Sequence, residues 1–151
     1  MLDDTDRRLL RHLQEDLSLA LPELAELCGL TAGRAGRRIE KLREAGILKG
    51  QEAVIDWKAL GFAVAVSLWI TLDKTAPSAF DEFLGAARGV AEVIEIQTFL
   101  GRVDVRLHIV ARDLGHWQTI YREKVLTLPH IADIEALMTV ATVKMDEVLP
   151  L

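Results

Sequence analysis

Apolar residues in the first third of the chain recur at helical spacing. Behind Asp3, a good N-cap with acids in the following turn, come Leu9, Leu10, Leu13 and Leu17. Pro22 predicts the first position of a second, short helix that runs through Leu24 and Leu27 to Cys28 and is stopped by Gly29. Thr31 then caps a third helix, which continues to about Ala45, where Gly46 ends it. Two short helices separated by Gly29-Leu30-Thr31 give a helix-turn-helix pattern.

From Ile47 the period changes. An extended stretch, Ile47–Asp56, leads through a turn at Trp57–Gly61 into strict alternation, with Val64, Val66, Leu68, Ile70 and Leu72 on one side. Pro77 opens a helix carrying Phe80, Phe83, Leu84 and Ala87 on one face. Strand patterns follow at Val90–Leu100 and Asp104–Val110, then an amphipathic Leu114–Leu126, then alternation from Ile131 to about Met145. The order β-α-β-β-α-β predicts a ferredoxin-like antiparallel sheet with two helices on one face. The expected fold class is α+β. A winged helix-turn-helix occupies residues 1–50, a linker 51–62 and a ferredoxin-like domain 63–151.

Charge sharpens this division. Residues 1–50 hold nine acids and nine bases, so the net charge of −5 falls entirely on the remainder. Within the neutral part, residues 34–49 carry six bases against two acids. Such a basic island in an acidic chain predicts a confined anion-binding surface. At about 100° per residue, Arg34, Arg37, Arg38 and Lys41 share one face of the third helix, while Ala35, Ile39 and Leu42 share another. A helix packed on one side and basic on the other is what the major groove of double-stranded DNA admits, and guanidinium forks there grip phosphates or guanine edges. Gly33 and Gly36 each weaken that helix by up to ~1 kcal/mol relative to Ala.

The whole chain resembles the Lrp/AsnC family of leucine-responsive and asparagine-responsive regulators. The likeness rests on Leu2-Asp3-Asp4-Thr5-Asp6-Arg7-Arg8-Leu9-Leu10, on Leu24 to Thr31, on Arg37 to Leu48 and on Leu60-Gly61. It extends to the Gly101-Arg102-Val103-Asp104 loop and to Val143-Lys144 and Leu149-Pro150-Leu151. The resemblance implies DNA binding through Thr31, Arg34, Arg37, Arg38 and Lys41. It implies a homodimer formed through the sheet, octamers built from dimers, and an amino acid or related metabolite bound between effector domains. Carried over, the effector residues are Gly101, Arg102, Val103 and Asp104, with Leu137, Met138 and Thr139 of the last strand nearby. Asp104 reads either as an acceptor for a ligand ammonium or as a turn residue bonded to its own backbone. The chain departs from the family pattern at Val105, where an aromatic is usual, and at Gln51, Leu21, Gly33, Gly36 and Arg102.

The remaining residues add little chemistry. His12, His108, His116 and His130 lack partners at metal-ligand spacing and are expected on the solvated surface. Cys28 is expected as a small core residue, and Trp57, Trp69 and Trp117 as packing or interface residues. Asp104, Arg106 and His108 alternate with Val105, Leu107 and Ile109, which places them on the opposite strand face. No phosphate loop, nucleophile elbow or catalytic carboxylate pair appears, and no cofactor or metal is implied. Two other functions fit the same architecture: a siroheme decarboxylase-like enzyme and a chromosome-organising DNA-binding protein. The former expects a His-Asn-Tyr-x-Arg stretch, and Ile94–Arg102 has no His, Asn or Tyr. With no run near the ~18 apolar residues of a membrane span and no signal-like N-terminus, a cytoplasmic protein with no membrane partner is expected.

Overall fold

In the computed structural model, which describes residues 2–145 and 148–151, the first helix starts under a reciprocal cap. The Asp3 carboxylate accepts the Asp6 N–H at 2.8 Å, and Asp6 accepts the Asp3 N–H at 3.1 Å, opening α1 (Asp4–Glu15). The helix stops when Asp16 captures both the N–H and the hydroxyl of Ser18, so Leu17 falls beyond it and is exposed. Helix α2 (Leu21–Leu27) starts one residue before Pro22. Its cap is Ala20, whose N–H is taken by the Glu23 carboxylate at 3.2 Å. Thr31 caps α3 (Ala32–Glu44), as its position predicts. Gly29 and Gly46 end α2 and α3 at φ +67° and +68°, a left-handed conformation that side-chain-bearing residues rarely adopt. Leu9, Leu24, Ala25, Cys28, Ala35 and Ile39 form the core of these three helices.

Residues 47–56, expected as a short extended wing, form no strand ladder among the described residues. The Ile47 and Leu48 N–H groups are both taken by the Leu42 carbonyl, and Leu48 packs onto the helical core, so the chain wraps the end of α3 instead. The tail also joins this unit. Both Arg11 Nε and Nη2 donate to the Leu151 carbonyl (2.9 and 2.7 Å), and the Gln14 side-chain amide exchanges two bonds with the Leu149 backbone. Packing accordingly groups Met1–Val54 with Lys144–Leu151, and Ile55–Val143 separately.

The second unit is a four-stranded antiparallel sheet in the order β2-β3-β1-β4, with β1 Val64–Leu72, β2 Val93–Thr98, β3 Val105–Ala111 and β4 Ile131–Met138. Alternation in β1 and β3 puts Val66, Leu68, Ile70, Val105, Leu107 and Ile109 on one fully buried face. Two helices cover it: α4 (Ala79–Arg88) through Phe83 and Ala87, and α5 (Leu114–Ile120) through Trp117 and Ile120. The amphipathic stretch from Leu114 is not one regular helix. After Ile120 it widens into a π-helical turn, Tyr121–Val125, whose Leu126 N–H bonds the Tyr121 carbonyl at 2.9 Å and which seats Val125 in the core. Strand β4 ends at Met138 rather than near Met145. Past it the Thr139 N–H bonds the Ala65 carbonyl at 2.8 Å, and the ladder goes no further although β1 itself runs back to Val64. No helix among the described residues is long and apolar enough to cross a membrane.

Candidate nucleic-acid interface and effector loop

Burial of Ala35, Ile39 and Leu42 fixes the rotation of α3 about its axis. That rotation leaves Arg34, Arg37 and Lys41 exposed and Arg38 half-buried. Thr31, also exposed, uses its hydroxyl oxygen to accept the Arg34 N–H at 3.4 Å, so its first role is to cap the helix. The four bases line an open groove of about 810 Å³ together with Asp3 and Asp6. Among the described residues, Arg34, Arg37 and Lys41 form no ion pair, a rigid display of uncompensated positive charge suited to a polyanion.

Arg38 differs from its neighbours. Its Nη1 donates to Asp3 Oδ2 and Asp6 Oδ1, both at 2.7 Å. The Asp3 carboxyl is held below the usual range, first by the Asp6 N–H and then by the Arg38 guanidinium. The same carboxylates push the Arg38 pKa up, Asp6 contributing most. The residue expected to join the DNA-facing row is therefore engaged within the protein.

The second set of expected site residues divides in two. Gly101 and Arg102 are exposed in the turn after β2, Val103 is partly buried, and the Arg102 carbonyl accepts the Thr71 hydroxyl at 3.0 Å. Asp104, by contrast, is buried. Its Oδ2 accepts the Leu72 N–H at 2.8 Å and its Oδ1 accepts Lys74 Nζ at 2.7 Å, while its own N–H bonds the Ile70 carbonyl. Lys74, followed by the Leu72 N–H, holds the Asp104 carboxyl below the ordinary range. Asp104 thus pins the loop to the end of β1 and is not open to a ligand ammonium.

Leu137 and Met138, half exposed, pair with Ser67 and Val66, and Thr139 bonds Ala65, all at the start of β1. The loop is bound at the other end of the strand, at Ile70–Leu72. At about 3.3 Å per residue, some 13 Å of strand separates the two groups. Expected as neighbours, they are not brought together within one chain.

The face of the sheet opposite the helices carries Ser67, Trp69, Arg106, His108, Glu135 and Leu137. Arg106 donates to Ser67 Oγ and to Gln97 Oε1 at 2.8 Å. Trp69 stacks on Phe99 with ring centroids 5.7 Å apart, and Trp57 lies tilted against His108 at 6.5 Å. Among the described residues, Trp69 Nε1 and His108 Nδ1 are shielded from solvent without a hydrogen-bond partner. Burial, reinforced by Arg106, holds the His108 imidazole below its ordinary pKa.

None of the four histidines is simply solvated. Each is partly buried; His130 pairs with Glu82 at 2.6 Å, and His116 Nδ1 accepts the Arg112 N–H at 3.1 Å. Cys28 is buried as expected, and burial pushes its thiol pKa up. The sequence reading missed the partners that decide these roles: Asp3 and Asp6 for Arg38, and Lys74 for Asp104. For the first pair a signal existed, since Asp3-x-x-Asp6 is a capping-box spacing; nothing in the sequence joins it to residue 38.

Comparison with known proteins fits this geometry. Residues 2–43 match the AsnC-type helix-turn-helix domain and residues 65–149 the Lrp/AsnC ligand binding domain. The transcriptional regulator AzlB of Bacillus subtilis (strain 168) is 30% identical over 151 residues, spanning all of this chain and 96% of that protein. Escherichia coli AsnC, a solved structure, superposes with a TM-score of 0.90 at 26% identity, covering 98% of each chain. A transcriptional regulator from Neisseria meningitidis, solved in complex with L-Met, shares the fold with a TM-score of 0.91 at 23% identity, covering 99% of this chain and 97% of that one.

Proposed function

Because the chain belongs to the Lrp/AsnC family of transcriptional regulators, we propose that its helical unit binds double-stranded DNA with α3 in the major groove, under the control of a small molecule held by the sheet unit. One observation carries the DNA reading. Helix α3, second in a helix-turn-helix pair, buries Ala35, Ile39 and Leu42 and turns Arg34, Arg37 and Lys41 outward without internal partners among the described residues. Thr31 orients the helix start, where the backbone approaches a phosphate. The corresponding division of labour assigns DNA binding to residues 1–50, connection to 51–62 and effector binding to 63–151. The packing of Lys144–Leu151 with the helices supports counting that tail on the DNA side.

The test is a titration of a labelled duplex at several salt concentrations. Each phosphate neutralised by Arg or Lys contributes a slope of about −0.9 in log K against log salt. Three such contacts predict a slope near −2.7 per helix; binding that ignores salt would overturn the reading.

For the effector, the geometry favours a pocket made by two copies of the chain. Gly101, Arg102 and Val103 come from one copy, braced by Asp104, and Leu137, Met138 and Thr139 come from another. Their separation along β1 is what supports this. Exposed Arg102 and the loop backbone suit a carboxylate, and the L-Met complex of the Neisseria meningitidis regulator makes amino acids the first class to try. The sheet face opposite the helices, with Ser67, Arg106, Glu135 and half-exposed Leu137, supplies a surface for the homodimer. Thermal-shift scanning against amino acids and 2-oxo acids checks the effector. A ligand at 100 times its dissociation constant stabilises the folded state by ~2.7 kcal/mol. Sedimentation checks the dimer and the octamer, and a monomer at every concentration would remove both.

A further inference from the structure

Four bases were expected to act alike on α3, yet the helix geometry separates them. Taking the buried positions Ala35, Ile39 and Leu42 as the inward direction, successive steps of about 100° place Arg38 roughly 65° from it. Arg34, Lys41 and Arg37 stand more than about 100° away. Arg38 is thus on the shoulder of the helix, where it meets the start of α1.

What it meets there is a closed network. Within the α1 cap, Asp3 Oδ1 accepts the Asp6 N–H and Asp6 Oδ2 accepts the Asp3 N–H. Each carboxylate has one oxygen left, and Arg38 Nη1 donates to both of them at 2.7 Å. All four oxygens are then engaged, and both acceptors are themselves fixed by the backbone of α1. The Asp6 side chain is only 14% exposed, so its charge is partly removed from water and depends on this partner. With Nη1 committed to both carboxylates the guanidinium is tethered to the start of α1, and moving off to a phosphate would cost two short, charge-assisted bonds, with only Nε and Nη2 left uncommitted.

We propose that Arg38 is a positioning residue for DNA binding: it locks α3 to the capped end of α1 and so aims Arg34, Arg37 and Lys41, without itself contacting the duplex. The inference rests on the DNA reading above and adds a division of labour within the basic face. Three bases contact the polyanion, and the fourth sets the pose of the helix that carries them.

The sign of one experiment separates the alternatives. Asp3→Asn/Asp6→Asn deletes two negative charges beside the DNA-facing groove while leaving each side chain an oxygen for the cap. If Arg38 contacts DNA directly, freeing it and removing two repulsive carboxylates tightens binding. If Arg38 positions α3, the same variant binds a short fluorescein-labelled duplex more weakly, by about tenfold. Arg38→Ala loses a similar factor, the triple variant loses no more than either, and Arg38→Lys, whose single nitrogen can also bridge two carboxylates, recovers most of it. The slope of log K against log salt stays at the wild-type value in all of them, whereas loss of a phosphate contact flattens it by about 0.9.

Affinities are read well below each variant's Tm. A lowered Tm with unchanged affinity, a tighter Asp3→Asn/Asp6→Asn variant, or a flattened slope in Arg38→Ala would each overturn the proposal. Wild-type protein that fails to bind the duplex would instead bring down the DNA reading, and this inference with it.

Discussion

The helical unit and the sheet unit treat charge in opposite ways. On α3, Arg34, Arg37 and Lys41 stand clear of a small core with no acid brought to meet them among the described residues. Around the sheet, charge is met internally: Lys74 with Asp104, Arg106 with Glu95 at 3.7 Å, Lys124 with Glu92 at 2.6 Å. A rigid element that leaves like charges uncompensated awaits a partner of opposite charge. A unit most of whose central charges are already paired binds through shape, backbone groups, an exposed base such as Arg102 and whatever a second molecule adds. The two cores differ to match, since the sheet unit's is the larger and includes aromatic rings, while the helical core is aliphatic with Cys28.

Core truncation puts the largest strain on this comparison. Leu107→Ala, at a fully buried position in β3, should cost ~3–5 kcal/mol by denaturant unfolding, whereas Ile39→Ala at the rim of the helical core should cost ~2 kcal/mol. Equal costs would show that the helical unit is as tightly packed as the sheet. Asp104→Ala comes next. It strands the buried Leu72 N–H and should destabilise the protein by ~1–3 kcal/mol, so an unchanged Tm would mean that the loop is held by something else.

Arg37→Ala should leave Tm unchanged, weaken duplex binding about tenfold and flatten the salt slope by about 0.9. Arg106→Ala, a base already paired within the sheet, should do none of these, and any fall in affinity there would erase the contrast.

The smallest effects are in pH. The folded protein holds His108 below its ordinary pKa of 6.5, so folding favours the neutral ring. Stability is therefore complete above that pH and declines as pH falls below it toward the folded value. Asp104, also depressed in the folded state, contributes stability that is present above 3.8 and lost as pH falls through the lower folded value. Tm followed against pH should show two acid-side declines, the upper removed by His108→Gln and the lower reduced but not abolished by Asp104→Asn, because Asp3, Glu82 and Glu92 are depressed as well.

Much of this was legible in the sequence. Alternation defines Val64–Leu72 to the residue, because from Val66 to Leu72 one face of β1 is buried and a slip of one position would expose it. Thr31, Gly29 and Gly46 mark the helix ends through local chemistry that needs no tertiary partner. The misses are tertiary. Residues 47–56 have an extended composition, yet a strand needs a neighbour and the Leu42 carbonyl claims their first amides. The alternation through Met145 outlasts β4, whose pairing with β1 stops at Val66 and Met138 although β1 runs back to Val64, because an alternating pattern does not by itself supply a paired neighbour. At the candidate sites, residue types and faces were readable. That Arg38 is bound by Asp3 and Asp6, or that Leu137 lies a strand-length from Arg102, depends on register and packing between elements distant in the chain.

The bonds from Arg11 and Gln14 to Leu151 and Leu149 span 135 to 140 residues. On a ribosome, α1, α2 and α3 emerge early and can collapse around Leu9 and Ile39 while the sheet is still unmade. The outer side of α1 is finished only when residues 149–151 arrive, so the helical unit owes its longest-range contacts to everything placed between them in the chain.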